Sequence, residues 1–249
     1  MSIQDLTLAL PAPKPLRLAE SALFLDLDGT LAPIAARPQD VRPDPRRTSL
    51  LERLVHGLDG RLAVVSGRTL TDIDRILEGR VTPVAAVHGL VLRDSHRRVT
   101  AQPAHAGLDQ AILALRAFAA RDSGMIVEEK GLSVALHFRL AGAFADEARA
   151  CARGIAERTG LALQEGDMVE ELRTPGPRKG DSVRAFMNQP PFAGATPVFV
   201  GDDATDEDGF EAAQALGGMG VAVGNHRATH ARYRLTDVEA ALAWLEAAP

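Results

Sequence analysis

Two carboxylates spaced two residues apart, Asp26-Leu27-Asp28, are followed at once by Gly29 and Thr30. They end the apolar run Ala22-Leu23-Phe24-Leu25, which reads as a buried strand of the parallel type. Such a strand cannot bury two ionised carboxylates without a cation, because each unpaired charge is expensive to desolvate. A divalent metal is the simplest counter-ion. Gly29 lets the chain turn sharply, and Thr30 offers a hydroxyl and an amide to an anion. The chemistry this combination describes is Mg²⁺-dependent phosphoryl transfer. Asp26 is the candidate nucleophile, whose attack on phosphorus gives an aspartyl-phosphate and divides hydrolysis into two steps. Asp28 is placed to be the general acid toward the leaving alkoxide and then the base toward water.

Three further signals complete the set. The acidic loop Gly201-Asp202-Asp203-Ala204-Thr205-Asp206 supplies hard oxygen ligands. Mg²⁺ accepts few carboxylates and keeps several waters, so Asp202 is expected around the ion with Asp26 and the backbone carbonyl of Asp28. Asp206 is expected behind them, holding waters or Lys179; Thr205 or Asp206 could also cap the helix that starts at Glu207. Ser66-Gly67-Arg68, between a strand and a helix, is a phosphate cradle of one hydroxyl and helix N-terminal amides. Lys179-Gly180 offers a point charge to the transferring group. Only three of the 28 basic residues are lysines: Lys14, Lys130 and Lys179. Ammonium and guanidinium are not interchangeable, so Lys130 and Lys179 are suspects on composition alone.

The elements that must position these groups alternate. Apolar, β-branched runs at residues 23–27, 61–65, 84–87, 197–200 and 221–223 are separated by amphipathic stretches at 46–58, 70–77, 181–187 and 207–216. That pattern predicts a doubly wound parallel α/β sheet covered by helices on both faces. Four of the strands run directly into polar signals, including Val87-His88-Gly89, so the candidates converge at the carboxyl edge. From about residue 106 to 177 the pattern becomes helix-strand-strand, repeated twice, which predicts an inserted α+β domain with an antiparallel sheet. Pro175-Gly176-Pro177 is the return linker. The expected organisation is a poorly ordered lead-in over 1–21, a core of 22–105 with 178–249, and a cap of 106–177.

Composition narrows the class. A net charge of -5 with no basic stripe argues against nucleic acid as a partner. Cys151 is the only cysteine, which precludes an intrachain disulfide and fits a reducing, cytoplasmic setting. No apolar run is long enough to span a bilayer, and no basic residue precedes the apolar patch at residues 6–10, so a secretory leader is not expected.

The quartet Asp26-Leu27-Asp28-Gly29-Thr30, Ser66, Lys179 and Gly201-Asp202-Asp203 resembles the haloacid dehalogenase superfamily of phosphotransferases, and the insert resembles its C2-type cap. Val87-His88-Gly89, Glu128-Glu129-Lys130-Gly131, Ala135-Leu136-His137-Phe138-Arg139 and Glu171-Leu172-Arg173 extend the likeness to the trehalose-6-phosphate phosphatase family. The resemblance implies a Rossmann-like core, Mg²⁺, and a sugar phosphate substrate whose phosphoryl group meets Gly29, Thr30, Gly67 and Arg68. It also implies sugar recognition by Glu128, Lys130 and Glu171, with His88 and Arg139 as further substrate contacts, and a functional link to a trehalose-6-phosphate synthase. Leu90-Val91 and Thr174 depart from the family pattern. The alternatives are a phosphatase for sucrose 6-phosphate or mannosyl-3-phosphoglycerate, or a non-catalytic sugar-phosphate sensor. A pure sensor has no use for a nucleophile.

Overall fold

A computed structural model describes residues 10–224 and 228–249, and the chain divides into two compact units. The first comprises Met1–Ala35, Val41–Thr100 and Pro177–Pro249; the second comprises Ala36–Asp40 and Ala101–Gly176. The short segment Ala36–Asp40, placed with the core by the sequence reading, groups with the insert.

The first unit is built on an eight-stranded sheet. Its strands are β1 (Ser21–Leu25), β2 (Leu62–Val65), β3 (Val84–Ala86), β4 (Val91–Arg93), β5 (Val99–Ala101), β10 (Thr196–Gly201), β11 (Met219–Val223) and β12 (Tyr233–Leu235), in the order β12-β11-β10-β1-β2-β3-β4-β5. Pairing is parallel from β12 through to β3, while β4 joins β3 antiparallel. The sheet is therefore mixed where the sequence pattern predicted only parallel strands. β4 and β5 are three residues each and β5 is fully exposed, so neither carries the apolar run that marks a buried strand.

Alternation along β1 sends Ala22 and Phe24 to one face and Leu23 and Leu25 to the other, all of them buried. Phe24 stacks on Phe192 with centroids 5.5 Å apart, and Phe199 meets Phe210 edge-on at 5.6 Å. This face packs on Val183 and Phe186 of the helix Lys179–Met187 and on Phe210 and Ala213 of the helix Glu207–Ala215. The helices Pro45–Gly57, Leu70–Ile76 and Val238–Glu246 bury Leu51, Leu54, Ile73, Ile76 and Leu245.

Residues 1–9 of the expected lead-in lie outside the described residues. Its remainder is not loose: Leu16 and Leu18 are buried, the Arg234 amide donates to Pro11 O at 3.0 Å, and Trp244 Nε1 donates to Lys14 O at 2.9 Å. The apolar side chains Leu16 and Leu18 override the disorder that three nearby prolines suggest.

The second unit has a four-stranded antiparallel sheet, order β6-β7-β9-β8, formed by β6 (Ile126–Glu129), β7 (Ser133–His137), β8 (Ala162–Gly166) and β9 (Val169–Arg173). The helices Leu108–Ala119 and Ala145–Thr159 cover one face, burying Leu115, Ile155, Val134, Leu136 and Leu172. Among the described residues no helix is long and apolar enough to cross a membrane.

In chain order the described α-helices are α1 (Pro45–Gly57), α2 (Leu70–Ile76), α3 (Leu108–Ala119), α4 (Ala145–Thr159), α5 (Lys179–Met187), α6 (Glu207–Ala215) and α7 (Val238–Glu246).

Candidate active site

In the first unit, parallel pairing places the carboxyl ends of β1, β2, β3 and β10 along one edge, and Asp26, Ser66, Val87 and Asp202 are the residues that follow them. The Asp26 amide continues the ladder, donating to Val200 O at 2.9 Å. Its carboxylate is buried and accepts from Lys179, the first residue of α5, at 2.8 Å. Lys179 Nζ also donates to Asp206 Oδ1 at 2.7 Å. Asp206 uses its other oxygen for the amides of Asp202 and Asp203, at 2.9 and 3.1 Å. One fully buried carboxylate thus locks the acidic loop to the lysine. Asp203 and Asp206 form a capping box at this loop: Asp203 accepts from the Thr205 amide and hydroxyl at 2.7 and 2.6 Å and Asp206 from the Asp203 amide, while Asp206 stands at the N-cap of the Glu207–Ala215 helix without a side-chain cap bond to it.

Carboxylate oxygens of Asp26, Asp202 and Asp206 lie within 4.8 Å of one another. Three buried or half-buried carboxylates face one ammonium, so the cluster has surplus negative charge. Burial, with Asp206 and Asp203 adding to it, pushes Asp202 up to about 8. Burial likewise pushes Asp206 up to about 6 and raises Asp26, in both cases against the pull of Lys179. A hard divalent cation is the neutralising partner such an oxygen set suits, so the residues fit a metal. Asp26 and Asp202 are the carboxylates not committed to backbone amides. Gly29 (φ 78°) makes the approach possible: a Cβ there would lie 2.0 Å from Asp202 Oδ2.

The Asp28 carboxylate is turned to Arg68, whose Nε and Nη2 donate to its two oxygens at 2.6 and 2.7 Å. This fork-to-carboxylate grip fixes both side chains. Ser66 is buried and its hydroxyl accepts from the Arg68 amide at 3.3 Å. Thr30 is completely buried, and its hydroxyl has no hydrogen-bond partner among the described residues.

In the second unit, the face of the sheet turned away from α3 and α4 is polar. Register sets Glu128 opposite Ala135 and Ala135 opposite Glu171, so the two glutamates flank one small residue on the same face. Lys130 Nζ donates to Glu171 Oε2 at 2.7 Å and lies 3.9 Å from Glu128 Oε2. Its amide donates to Ser133 O at 2.9 Å across the turn, in which Gly131 takes φ 77°. Arg139 pairs instead with Asp167, Nη2 lying 2.9 Å from Oδ2 and 2.8 Å from the backbone oxygen. His137 was not singled out from sequence: its Nε2 lies 2.8 Å from Glu128 Oε2. Burial would raise Glu128, but the His137 hydrogen bond and Lys130 hold it below the usual carboxylate range. The signal for His137 was alternation, since Ala135 and His137 share a face in β7.

The opposite face hides a second unanticipated group. Glu170 is 1% exposed, neither of its carboxyl oxygens has a hydrogen-bond partner among the described residues, and Arg149 Nε is 3.7 Å away. Burial, and Glu165 opposite it on β8, push its carboxyl up to about 7. An acid raised in the folded state binds its proton more tightly there than in the unfolded chain. Its favourable contribution is therefore present below about pH 4.5 and lost as pH rises through about 7. Glu170→Gln should raise stability by about 1–2 kcal/mol at pH 8.5 and change it little at pH 5. Urea midpoints at the two pH values check this; an equal shift at both would refute it.

The sequence model of the trehalose-phosphatase family matches residues 24–239. The chain is 38% identical over 231 residues to the trehalose-6-phosphate phosphatase of Escherichia coli, covering 92% of this chain and 86% of that one. It is 38% identical over 205 residues to a probable trehalose-phosphate phosphatase of Sinorhizobium fredii, covering 82% and 77%. The crystal structure of a trehalose-6-phosphate phosphatase related protein superposes with a TM-score of 0.76 at 28% identity, covering 90% of this chain and 95% of that one. With the match running from β1 through β12 and every element of the aspartate-lysine cluster inside it, the chain belongs to the trehalose-phosphatase family, whose members are phosphoric monoester hydrolases.

Proposed function

We propose that the protein hydrolyses trehalose 6-phosphate to trehalose and phosphate with Mg²⁺, through an aspartyl-phosphate on Asp26. The observation that carries the reading is the family match over 24–239 together with a buried Asp26 held by Lys179. Mg²⁺, held by Asp26, Asp202 and the Asp28 carbonyl, would neutralise charge on the phosphoryl oxygens and so permit an anionic nucleophile to approach them.

The chain's own groups do the rest. Asp26 attacks phosphorus, its carboxylate oxygen forming the new P–O bond as the ester P–O bond to the sugar breaks. Asp28 leaves the Arg68 fork to act in its protonated form, delivering that proton to the departing sugar oxygen and then taking one from the water that attacks the phosphorus of the acyl phosphate. That second displacement breaks the bond to Asp26 and releases phosphate, restoring the carboxylate. Lys179, the Thr30 and Ser66 hydroxyls and the amides of Thr30 and Gly67 receive the non-bridging oxygens; the Gly29 amide, expected among them, donates instead to Ala32 O at 2.7 Å, and the Arg68 amide to the Ser66 hydroxyl. Asp206 serves by holding Lys179 and the acidic loop rather than by touching substrate. Glu128, Lys130 and Glu171 read the sugar hydroxyls, a charged acceptor-donor-acceptor row that rejects analogues lacking a matching hydroxyl.

The test is phosphate release from a panel of sugar phosphates, with Mg²⁺ and with excess chelator. Chelator-sensitive release confined to trehalose 6-phosphate is expected. Release from sucrose 6-phosphate or mannosyl-3-phosphoglycerate instead would keep the chemistry and overturn the substrate, and no release from any ester would leave a sensor. In the same assay Lys130→Ala should lose about 100-fold or more in kcat/KM on the disaccharide and under about threefold on p-nitrophenyl phosphate. Equal losses on both would refute sugar recognition by Lys130.

A further inference from the structure

Two adjacent non-glycine residues adopt the left-handed region where β3 ends: Val87 at φ 48° and His88 at φ 56°, followed by Gly89 at φ 100°. A β-branched residue there is a genuine outlier, and such strain persists only where the surroundings over-determine it. The surroundings in this case are the catalytic loops of the first unit. The Val87 amide donates to Arg68 O at 2.9 Å and the His88 amide to Ser66 O at 3.0 Å, so the carbonyls on either side of Gly67 are pinned by consecutive strained residues. Because N–H and C=O of a trans peptide point in opposite directions, holding the Ser66 carbonyl this way aims the Gly67 amide away from the turn. The His88 ring, itself buried, lies against Gly67: a Cβ on Gly67 would fall 2.3 Å from Nε2 and 2.5 Å from Cε1. Gly89 abuts the start of α5, where its Cβ would lie 2.8 Å from Arg178 O and 2.6 Å from Ser182 Oγ.

We infer that Val87-His88-Gly89 is the piece that sets the phosphate loop Ser66-Gly67-Arg68 against the start of the Lys179 helix, with His88 a positioning residue whose ring supports Gly67 from behind rather than a contact to the sugar. The inference rests on the phosphatase reading for what the loop binds. Its geometric content is a coupling between position 67 and the ring at position 88. Loss of the ring lets the loop shift, and a displacement of about 1 Å at such a loop can cost on the order of 100-fold in rate.

The test is a double-variant cycle of His88→Asn and Gly67→Ala. Asn tolerates positive φ, so it removes the ring while keeping the turn's backbone. For each protein the dissociation constant of orthophosphate in Mg²⁺ is measured, with kcat/KM on p-nitrophenyl phosphate and on trehalose 6-phosphate. His88→Asn should weaken orthophosphate and lower kcat/KM on both esters by the same factor, about 10- to 50-fold. Gly67→Ala should cost about 100-fold with His88 present and under about threefold with Asn at position 88, since the ring it would strike is gone. Loss confined to trehalose 6-phosphate in His88→Asn would make His88 a sugar contact and overturn the inference. So would no loss on either ester, or an equal cost of Gly67→Ala in both backgrounds. If Gly67→Ala does not fold, folding of the double variant supports the coupling, and failure of the double variant while His88→Asn folds refutes it. A wild type that turns over only the small ester would sink the disaccharide reading while leaving the cycle measurable.

Discussion

Asp26→Asn should reduce turnover of every phosphate ester by at least about 10⁴-fold, with the folded structure intact, if Asp26 is the group that bonds to phosphorus. The substitution is isosteric, and three things hold the position in place. The backbone is in the ladder through its amide to Val200, the side chain is buried, and Lys179 is within 2.8 Å of an oxygen that the amide carbonyl can replace. The variant also removes one charge from a cluster that has too many of one sign. Burial raises Asp26, with Asp206 and Asp202 adding to it, so the wild-type carboxylate is a strained presence when no cation is bound. In chelator, therefore, the melting temperature of Asp26→Asn should equal or exceed that of the wild type. The pairing of unchanged stability with lost turnover separates a nucleophile from a structural carboxylate, whose removal would lower both. Residual activity above about 1% of wild type would end the assignment.

Much of this site was legible in the sequence because its residues sit at strand ends. Asp26 and Ser66 directly follow an apolar run and Asp202 follows one after a single glycine, and in a parallel sheet that position alone predicts convergence. Composition also marks the lysines: in a chain that otherwise uses arginine, Lys130 is bonded to a glutamate and Lys179 to two aspartates. Pairings between distant segments were not legible. Nothing in the spacing of Asp28 and Arg68 says that the arginine fork closes on that carboxylate, and the Arg139–Asp167 pair depends on the β7-β9 register. The strained Val87-His88 turn was invisible for a different reason. Val-His is an ordinary strand ending by propensity, and its conformation is imposed by hydrogen bonds to a loop some twenty residues earlier. The short strands β4 and β5 escaped because three residues are too few to carry a hydrophobic pattern.

Lys179 is the second position where a large effect is expected, and there the contrast between two substitutions is the informative result. Its ammonium is 3% exposed and touches one oxygen each of Asp26 and Asp206 at 2.8 and 2.7 Å. Burial alone would lower its pKa, but Asp206 and Asp26 raise it well above the ordinary lysine value, so it is charged whenever the enzyme is folded. Lys179→Met keeps the volume of the stem and removes the charge, leaving the carboxylates of Asp26, Asp202 and Asp206 within 4.8 Å of one another with no ammonium between them. Breaking a buried pair from one side costs about 3–5 kcal/mol, and that loss should appear in the urea midpoint measured in chelator. Adding Mg²⁺ should recover more stability in Lys179→Met than in the wild type, because the cation then stands in for the missing ammonium at the cluster. Lys179→Arg keeps the charge and should recover most of the stability, yet its planar fork cannot occupy a gap sized for one nitrogen between two carboxylates. Both variants should lose at least about 10³-fold in kcat/KM on p-nitrophenyl phosphate, since a displaced charge stabilises the transferring oxygens no better than a missing one. Near-wild-type turnover in Lys179→Arg would show that charge without placement suffices, and full stability of Lys179→Met in chelator would show that the acidic loop is held by something other than this lysine.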